Sequence, residues 1–180
     1  DPTASQFHLG HLVVLNKLRQ LQSCGFYVCI IIGDFTARIG DPSGRHSARQ
    51  VLSRKNIYMN YKTYYIQIYR ILNPIFTKIY FNSTWFGLFN LNNILKLTYL
   101  ITVSRLIERS DFKLRYELNK PINISEFIYP LLQSYDSVIL ESDIEVGGID
   151  QKFNFLLARI FKKKHNQGFQ VAIMLPILLG

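Results

Sequence analysis

The stretch HLGHLVVLNKLRQLQSCGFYVCIIIGDF, residues 8–35, carries the pattern of a helix followed at once by the pattern of a strand. Leucines recur every three residues from 12 to 21 with polar residues among them. This spacing predicts an amphipathic helix over residues 9–24 that Gly25 ends. The run FYVCIIIGDF is short and continuously apolar, which is typical of a strand buried on both faces of a parallel sheet. The two elements together indicate an α/β fold.

The remainder of the chain repeats this alternation of apolar strands and amphipathic helices. Three more strands are predicted, KIYFNSTW at residues 78–85, SVILESDIEVGG at 137–148 and QVAIMLPILL at 170–179. Three more helices are predicted at residues 53–72, 123–135 and 153–161, the second opened by a capping box of Asn123 and Glu126. Strands that alternate with helices predict a doubly wound, Rossmann-type parallel sheet.

The pattern changes between Gly87 and Lys120, where short helices follow one another without an obvious strand. We interpret this part as a helical insertion of about residues 80–122 within one domain that spans residues 1–180, since a chain of this length buries one core.

Composition limits the class of protein and its partners. The net charge of +9, from 21 basic and 12 acidic residues, favours an anionic partner such as a nucleotide or RNA. The longest apolar runs fall short of the ~20 residues that span a bilayer, so we expect no membrane partner, and no signal peptide is visible. Cys24 and Cys29 are the only cysteines, and we expect both to be reduced packing residues in a cytosolic-type compartment.

The first group of candidate site residues is HLGH, at residues 8–11. His8 and His11 are three apart and share a face in the first turn of the predicted helix. The free N–H groups and partial positive charge of a helix N-terminus suit a phosphate, and Gly10 would let a ligand approach the backbone. Two structural histidines with satisfied hydrogen bonds would give the same spacing, so the pattern leaves both interpretations open.

A polar stripe on the helix after Pro121 forms the second group. Tyr129, Gln133 and Asp136 are spaced by four and three residues on an otherwise largely apolar helix. Such a stripe needs partners. A polar helix–helix contact would supply them, and so would a small ligand with an ammonium and a hydroxyl group.

Two loops complete the candidate site. EVGGIDQ, at residues 145–151, places paired glycines at a strand end before Asp150, which can accept from ribose hydroxyls. The loop after the first strand contains Asp41, Arg45 and Arg49 but matches neither common phosphate-loop pattern. The two arginines either stabilise phosphate charge or belong to a basic surface loop.

Four motifs in order, DPTASQFHLGHL, IGDFTARIGDPSGR, YPLLQSYDSV and GGIDQKFN, closely resemble the bacterial-type tyrosyl-tRNA synthetases. HLGH is similar to the HIGH signature of class I synthetases, with Leu in place of Ile. The resemblance covers most of the 180 residues and implies a fragment of the catalytic domain, with a Rossmann-type core and a connective insertion that forms much of a homodimer interface. It also implies that the first core strand and the C-terminal RNA-binding domain lie outside this stretch.

The resemblance assigns a role to each matching residue. For ATP it implies phosphate contacts at Thr3, His8 and the backbone of Asp1, a position near the ribose at His11 with Gly10 beside it, and ribose contacts at Gly148 and Asp150. For tyrosine it implies an ammonium site of Asp41, Tyr129 and Gln133, a phenol acceptor at Asp136, and Gln151 near the carboxylate. Arg45 and Arg49 would grip the leaving pyrophosphate, so the implied catalytic set is Thr3, His8, His11, Arg45 and Arg49.

The implied reaction is that of a tyrosine–tRNA ligase. The tyrosine carboxylate attacks the α-phosphorus of ATP bound with Mg²⁺, and the tyrosyl group then passes to tRNA(Tyr) in protein synthesis. Positioning and charge stabilisation would drive this reaction without a covalent enzyme intermediate. We expect no protein metal site and no tightly bound cofactor, and a location in the cytoplasm or an organelle matrix.

Some residues depart from the family pattern. Ile149 replaces the usual Thr or Ser of GG[TS]DQ, and residues 177–179 stand where a Glu is expected. The chain starts at Asp1 and stops before any KMSKS-type loop, so we expect that this stretch alone is not competent for full aminoacylation. The alternatives are an impaired fragment that acts as an RNA-binding module, a relative of tryptophanyl-tRNA synthetase, or another HxGH nucleotidyl transferase with a phosphorylated substrate.

Overall fold

The computed structural model describes residues 1–42 and 52–178. The helices are α1 (Leu9–Ser23), α2 (Arg54–Tyr61), α3 (Tyr64–Tyr69), α4 (Ser83–Phe86), α5 (Leu91–Thr98), α6 (Val103–Ile107), α7 (Ser110–Glu117), α8 (Ile124–Leu140) and α9 (Lys152–Lys164). The strands are β1 (Val28–Ile32), β2 (Thr77–Phe81), β3 (Ile144–Gly148) and β4 (Val171–Leu175). Short 3₁₀ turns lie at Thr36–Arg38, Pro74–Phe76 and Ile149–Gln151. Arg45 and Arg49 lie outside the described residues.

The strands pair in parallel, each pair joined by a helical crossover. β1 pairs with β2, with Val28 opposite Thr77 and Ile32 opposite Phe81. β3 pairs with β4, with Ile144 opposite Val171. Within the described part of the chain the strands form two two-stranded sheets, and α1 contacts β3. Parallel pairs with helical crossovers are the arrangement that the alternating sequence pattern predicted.

Apolar packing is divided between two clusters, one beside β1 and β2 and one among the helices. The cluster beside β1 and β2 contains Leu15, Val28, Ile32, Tyr64, Ile68 and Leu72. The cluster between α8, α9 and the short helices contains Phe86, Leu97, Leu131, Leu132, Val138, Leu157 and Phe161. The site described below lies where the elements of the two clusters meet.

All four strands are shorter than the sequence predicts, β1 and β4 spanning only Val28–Ile32 and Val171–Leu175, and one predicted helix is divided. The residues SVIL, 137–140, belong to α8, because Ser134, Ser137 and Val138 are buried at the i, i+3, i+4 spacing of a helix while Ile139 is exposed. Glu141 ends this helix in the left-handed conformation, with φ 50°. β2 ends at Phe81, since helix α4 begins at Ser83. The predicted long helix over residues 53–72 is two shorter helices, α2 and α3.

Four short helices, α4 to α7, occupy the chain between β2 and α8, and the described residues there form no strand. This agrees with the helical pattern expected between Gly87 and Lys120. That this part, about residues 80–122, is a connective insertion stays a prediction.

Both cysteines are free thiols on the surface, so the prediction that they are packing residues is wrong. Cys24 caps the exposed end of α1. Cys29 alternates with Val28 and Ile30, which face the core cluster, and its side chain therefore lies on the other face of the sheet. No helix of the described residues is long and apolar enough to cross a bilayer.

The predicted capping box at the start of α8 is confirmed, and a buried arginine extends it. Glu126 Oε1 accepts from the backbone N–H of Asn123 at 3.0 Å. Arg115 of α7 donates to both oxygens of Glu126, at 2.5 and 3.0 Å. Burial raises the pKa of Glu126, but the hydrogen bonds from Arg115 and Asn123 outweigh it and hold the pKa below its usual value. The pair therefore orients α8, the helix that carries the polar stripe.

We expect Arg115→Met to lower the free energy of unfolding by about 3–5 kcal/mol, because it leaves the Glu126 carboxylate buried without its charged partner. Arg105→Met, which removes an exposed ion pair with Glu108, is the matched control and should cost less than about 1 kcal/mol. Urea denaturation at neutral pH measures both, and equal losses in the two variants would contradict the structural role of the buried pair.

Candidate functional site

A cavity of about 580 Å³ opens between α1, β1 and the ends of β3 and β4. Its polar lining consists of Asp1, His8, Gly10, His11, Gly148 and Asp150. Apolar side chains of α1, β1, α3 and the segment after β4 complete the wall. Six of the seven residues that the resemblance assigned to ATP thus line one cavity, and Thr3 does not. The described parts of the chain, residues 1–42 and 52–178, contain no group of three His, Cys, Asp or Glu able to hold a metal ion.

The two histidines of HLGH cap α1 and line the cavity at the same time. His8 Nδ1 accepts from the backbone N–H of Gly10 at 3.2 Å, and His11 Nδ1 accepts from that of His8 at 3.2 Å. Each imidazole therefore carries its proton on Nε2. Burial, then the neighbouring His8, lowers the pKa of His11 to about 4, so that ring is neutral at pH 7. The structural and the functional interpretations of these histidines are compatible, because Nδ1 serves the helix and Nε2–H stays a donor.

Side chains lie close against two glycines of the site. A Cβ on Gly10 would lie 3.0 Å from Cε1 of His8. A Cβ on Gly148 would lie 2.2 Å from Oδ1 of Asp150, which is closer than atoms pack. Gly10 also lines the cavity, so the expected approach of a ligand to its backbone stays a prediction.

A second feature, which we call the polar ring, joins Asp41, Arg109, Gln133, Gln151 and Asn154. Gln151 Nε2 donates to Asp41 Oδ2 at 3.0 Å, and its Oε1 accepts from Gln133 at 3.2 Å. Asn154 Nδ2 donates to Gln133 Oε1 at 2.6 Å and to Gln151 Oε1 at 2.8 Å. Arg109 closes the ring. Its Nη1 lies 3.5 Å from Asn154 Oδ1, and its Nη2 lies 3.8 Å from Asp41 Oδ1. Three predicted tyrosine-site residues therefore belong to one hydrogen-bonded unit.

Two members of the polar ring, Asn154 and Arg109, are not among the site residues predicted from the sequence. Asn154 stands three residues after Gln151, a spacing that places both on one side of a helix turn, and this was a usable signal. Arg109 gives no such signal, because it lies 68 positions from Asp41 and resembles any other basic residue. The Arg109 side chain is buried, held through Nε by Asp111 at 2.7 Å. At Gln133 the polar stripe makes a helix–helix contact, because the partners of Gln133 are Asn154 on α9 and Gln151 just before it.

Asp136 lies beyond Gln133 on α8 and is almost fully buried. Its carboxylate accepts from Nε1 of Trp85 at 2.8 Å and from Nδ2 of Asn82 at 3.3 Å. Burial raises its pKa to about 7, against the two hydrogen bonds, which lower it, and with a smaller increase from Glu145. Trp85 and Asn82 are not predicted site residues either, because the sequence pattern places both inside a strand, whereas they lie just after its carboxyl end.

Asn82 links Asp136 to the start of the chain. Its Nδ2 also donates to Thr36 Oγ1 at 3.0 Å, and Thr36 donates to Asp1 Oδ1 at 2.7 Å. The hydroxyl of Tyr129 donates to the other oxygen of Asp1, at 2.9 Å. The five residues assigned to tyrosine therefore lie in two networks along α8, the polar ring and this chain of bonds from Asp136 to Tyr129.

The cavity and the polar ring meet at one hydrogen bond. Gln151 Nε2, which donates to Asp41, also donates to Oδ2 of Asp150 at 2.8 Å, and Asp150 lines the cavity. The departure at Ile149 does not disturb this junction, because the Ile149 side chain is 53% exposed.

A family model described as tRNA synthetases class I (W and Y) matches residues 1–180. The chain belongs to this family. The chain is 53% identical over its whole length to the tyrosine–tRNA ligases of Carboxydothermus hydrogenoformans and Haemophilus influenzae, and covers 44% and 45% of them. It thus spans less than half the length of these curated relatives.

Solved structures agree with the fold of the chain. The Archaeoglobus fulgidus tyrosyl-tRNA synthetase complexed with L-tyrosine superposes with a TM-score of 0.77 at 25% identity, over 98% of this chain and 53% of that one. The C-terminally truncated mitochondrial enzyme of Aspergillus nidulans gives 0.77 at 25% identity, over 90% of this chain and 52% of that one. The Rossmann-type fold class predicted from the sequence is confirmed.

The raised pKa of Asp136 makes stability depend on pH. The folded state holds this proton up to about pH 7, whereas the unfolded state releases it near 3.8, so stability falls as pH rises between these values. His11 acts in the opposite sense, since its folded pKa of about 4 lies below 6.5. The difference between wild type and Asp136→Asn isolates the first effect, because His11 is common to both.

We therefore expect Asp136→Asn to gain stability relative to wild type as pH rises from 4 to 7. Urea denaturation at several pH values measures this. A stability difference that stays constant over this range would contradict the raised pKa.

Proposed function

We propose that this synthetase contributes the tyrosine-activating site of a tyrosine–tRNA ligase. The observation that carries the proposal is the hydrogen bond from Gln151 to Asp150, which joins the histidine-lined cavity to the polar ring. A ligand in the cavity and a ligand on the ring would touch at this point, as ATP and an amino acid must in order to react. The curated relatives named above, both tyrosine–tRNA ligases, support the choice of amino acid.

The amino-acid site follows from the two networks along α8. Asp41 offers negative charge to the tyrosine ammonium group, and Oε1 of Gln133, which accepts one hydrogen bond within the polar ring, offers a further acceptor. Asp136, held through both oxygens by Trp85 and Asn82, keeps further lone pairs for the phenolic hydroxyl. Phenylalanine would leave this buried acceptor without its donor, and tyrosyl-tRNA synthetases are the established example of such discrimination.

In the proposed first step, a carboxylate oxygen of tyrosine attacks the α-phosphorus of ATP, and the bond to pyrophosphate breaks. His8 and His11 offer Nε2–H donors to the nucleotide as charge shifts onto its phosphates. Arg45 and Arg49, outside the described residues, are proposed to hold the pyrophosphate. Mg²⁺ is proposed as the counter-ion of the ATP phosphates.

In the second step, a hydroxyl of the terminal ribose of tRNA(Tyr) attacks the tyrosyl carbonyl carbon, and AMP leaves. Thr3 keeps its proposed contact to the phosphates, although it does not line the cavity. The rate would come from placing reactants and charges, since neither step needs a covalent enzyme intermediate. We propose the cytoplasm or an organelle matrix as the location.

Calorimetric titration with a non-hydrolysable tyrosyl-adenylate analogue, beside its tryptophanyl counterpart, tests this function. Tight binding of the tyrosyl analogue alone supports the proposal. Binding of only the tryptophanyl analogue would favour the tryptophanyl alternative. Salt-sensitive RNA binding without a response to either analogue would favour the RNA-binding module.

Asp136→Ala should weaken binding of the tyrosyl analogue by about ten-fold or more, because the phenol loses its buried acceptor. Ser137→Ala is the matched control, since Ser137 is the buried neighbour that donates to Glu145 instead. Circular dichroism checks that both variants fold. Equal affinity of the two variants would remove Asp136 from the tyrosine site.

The homodimer is proposed on the apolar surface of α5 and its flanks. Leu91 and Leu95 share one face of α5 and are exposed, as are Leu88, Tyr99 and Val103. Exposed apolar residues concentrated in one segment mark a protein interface.

Leu91→Glu combined with Leu95→Glu should therefore shift the protein from dimer to monomer in sedimentation velocity, because a dimer would bury four unpaired carboxylates. Leu118→Glu, exposed but outside α5, is the control. A monomeric wild-type protein, or a double variant that stays dimeric, would contradict the proposed interface.

A further inference from the structure

The positive charge of this chain is concentrated in one segment. Residues 52–107 contain seven Lys or Arg residues and no Asp or Glu, whereas the rest of the chain holds fourteen basic and twelve acidic residues. The first helices of this segment, α2 and α3, carry Arg54, Lys55, Lys62 and Arg70. A surface built from this segment has no carboxylates of its own to neutralise its cations.

Aromatic rings form a continuous row on the same two helices and the adjoining strand. Tyr58 lies 5.3 Å from Tyr61, and Tyr61 lies 5.0 Å from Phe81, measured between ring centroids. Tyr65 lies 6.2 Å from Phe81 and 6.3 Å from Tyr69. We call these five rings the aromatic row.

Three of the five rings of the aromatic row are exposed to solvent. Tyr58 is 47% exposed, Tyr65 37% and Tyr69 36%. Lys62 reaches over the row, with Nζ 4.3 Å from the centroid of the Tyr58 ring. The carboxylate of Asp34 helps to raise the pKa of Tyr61, after burial and Tyr58, and it accepts from the backbone N–H of Ser83.

The aromatic row is separate from the cavity. Helix α3 turns a different side toward the cavity, the side that carries Tyr64 and Ile68. The hydroxyl of Tyr64 donates to the backbone oxygen of Ala4 at 2.7 Å, which holds that side inward. A ligand on the row would therefore leave the cavity accessible.

We propose that the aromatic row and Lys62 form a binding surface for single-stranded RNA. Unpaired bases stack on aromatic rings whatever their sequence, and cations among the rings attract the phosphates. The charge of residues 52–107 is complementary to such a polyanion. Duplex RNA is a poorer ligand, because its bases are already stacked. The surface does not depend on the tyrosine or nucleotide sites proposed above.

Fluorescence anisotropy with a labelled twelve-nucleotide oligouridine, beside a duplex of equal length, tests the surface. We expect the single strand to bind more tightly than the duplex, with an affinity that falls as salt rises. Tyr65→Ala combined with Tyr69→Ala should weaken binding about ten-fold or more, since each removes a stacking partner. Tyr27→Ala combined with Tyr116→Ala, exposed tyrosines elsewhere, should not.

Two further variants keep the test valid if the alanine substitutions unfold the protein. Tyr65→Phe combined with Tyr69→Phe preserves the rings and should bind as wild type does. Lys62→Glu reverses one exposed charge and should weaken binding and lower its salt dependence. Equal affinity of row and control variants, or equal binding of duplex and single strand, would overturn the proposal. So would binding to phosphatidylserine vesicles without binding to the oligonucleotide, which would assign the surface to a membrane.

Discussion

The side-chain amide of Gln151 holds the site together. It donates to Asp41 and to Asp150, and it accepts from Gln133 and from Asn154. These four bonds saturate the amide, so it has one orientation. Their partners come from the loop after β1, from α8, and from the turn and helix that follow β3. One carboxamide therefore sets the positions of elements that are far apart in the sequence.

Arg109 extends this control into the four short helices. Its guanidinium is buried beside Asp41 and Asp111, and a buried cation needs such partners because removing it from water is costly. The polar ring forms only if this part of the chain docks against α9. The proposed dimer surface on α5 belongs to the same group of helices, so packing there and order in the polar ring are physically connected.

The candidate site includes one residue that is unfavourable for stability, Asp136, and two that also stabilise a helix, His8 and His11. Asp136 is buried with a pKa near 7, which means that its ionised form is unfavourable in the folded protein. A residue chosen for packing alone would avoid this cost. His8 and His11, by contrast, cap α1 through Nδ1 while their Nε2–H groups remain donors. The amino-acid type of a residue therefore does not show whether it serves the candidate site, the stability of the fold, or both.

Local sequence pattern was sufficient to predict most of the helices and strands and to place regularly spaced residues on them. The leucine repeat placed α1, Asn123 and Glu126 placed the start of α8, and the spacing of Tyr129, Gln133 and Asp136 placed them on one side of that helix. Pattern failed at residues 137–140, where a run of apolar residues fits a strand or a buried helix equally well, and only packing against the core separates the two.

The sequence by itself determined the fold class, the order of its elements and the family resemblance, because these follow from periodicity and from motifs that are local in the chain. Only the tertiary structure decided which distant polar groups meet. Arg109, Asn82 and Trp85 became site residues because folding buries them beside Asp41 and Asp136. A buried charge or amide pairs with the group that the fold brings within hydrogen-bond distance. The number of residues between the two groups in the sequence does not determine that distance.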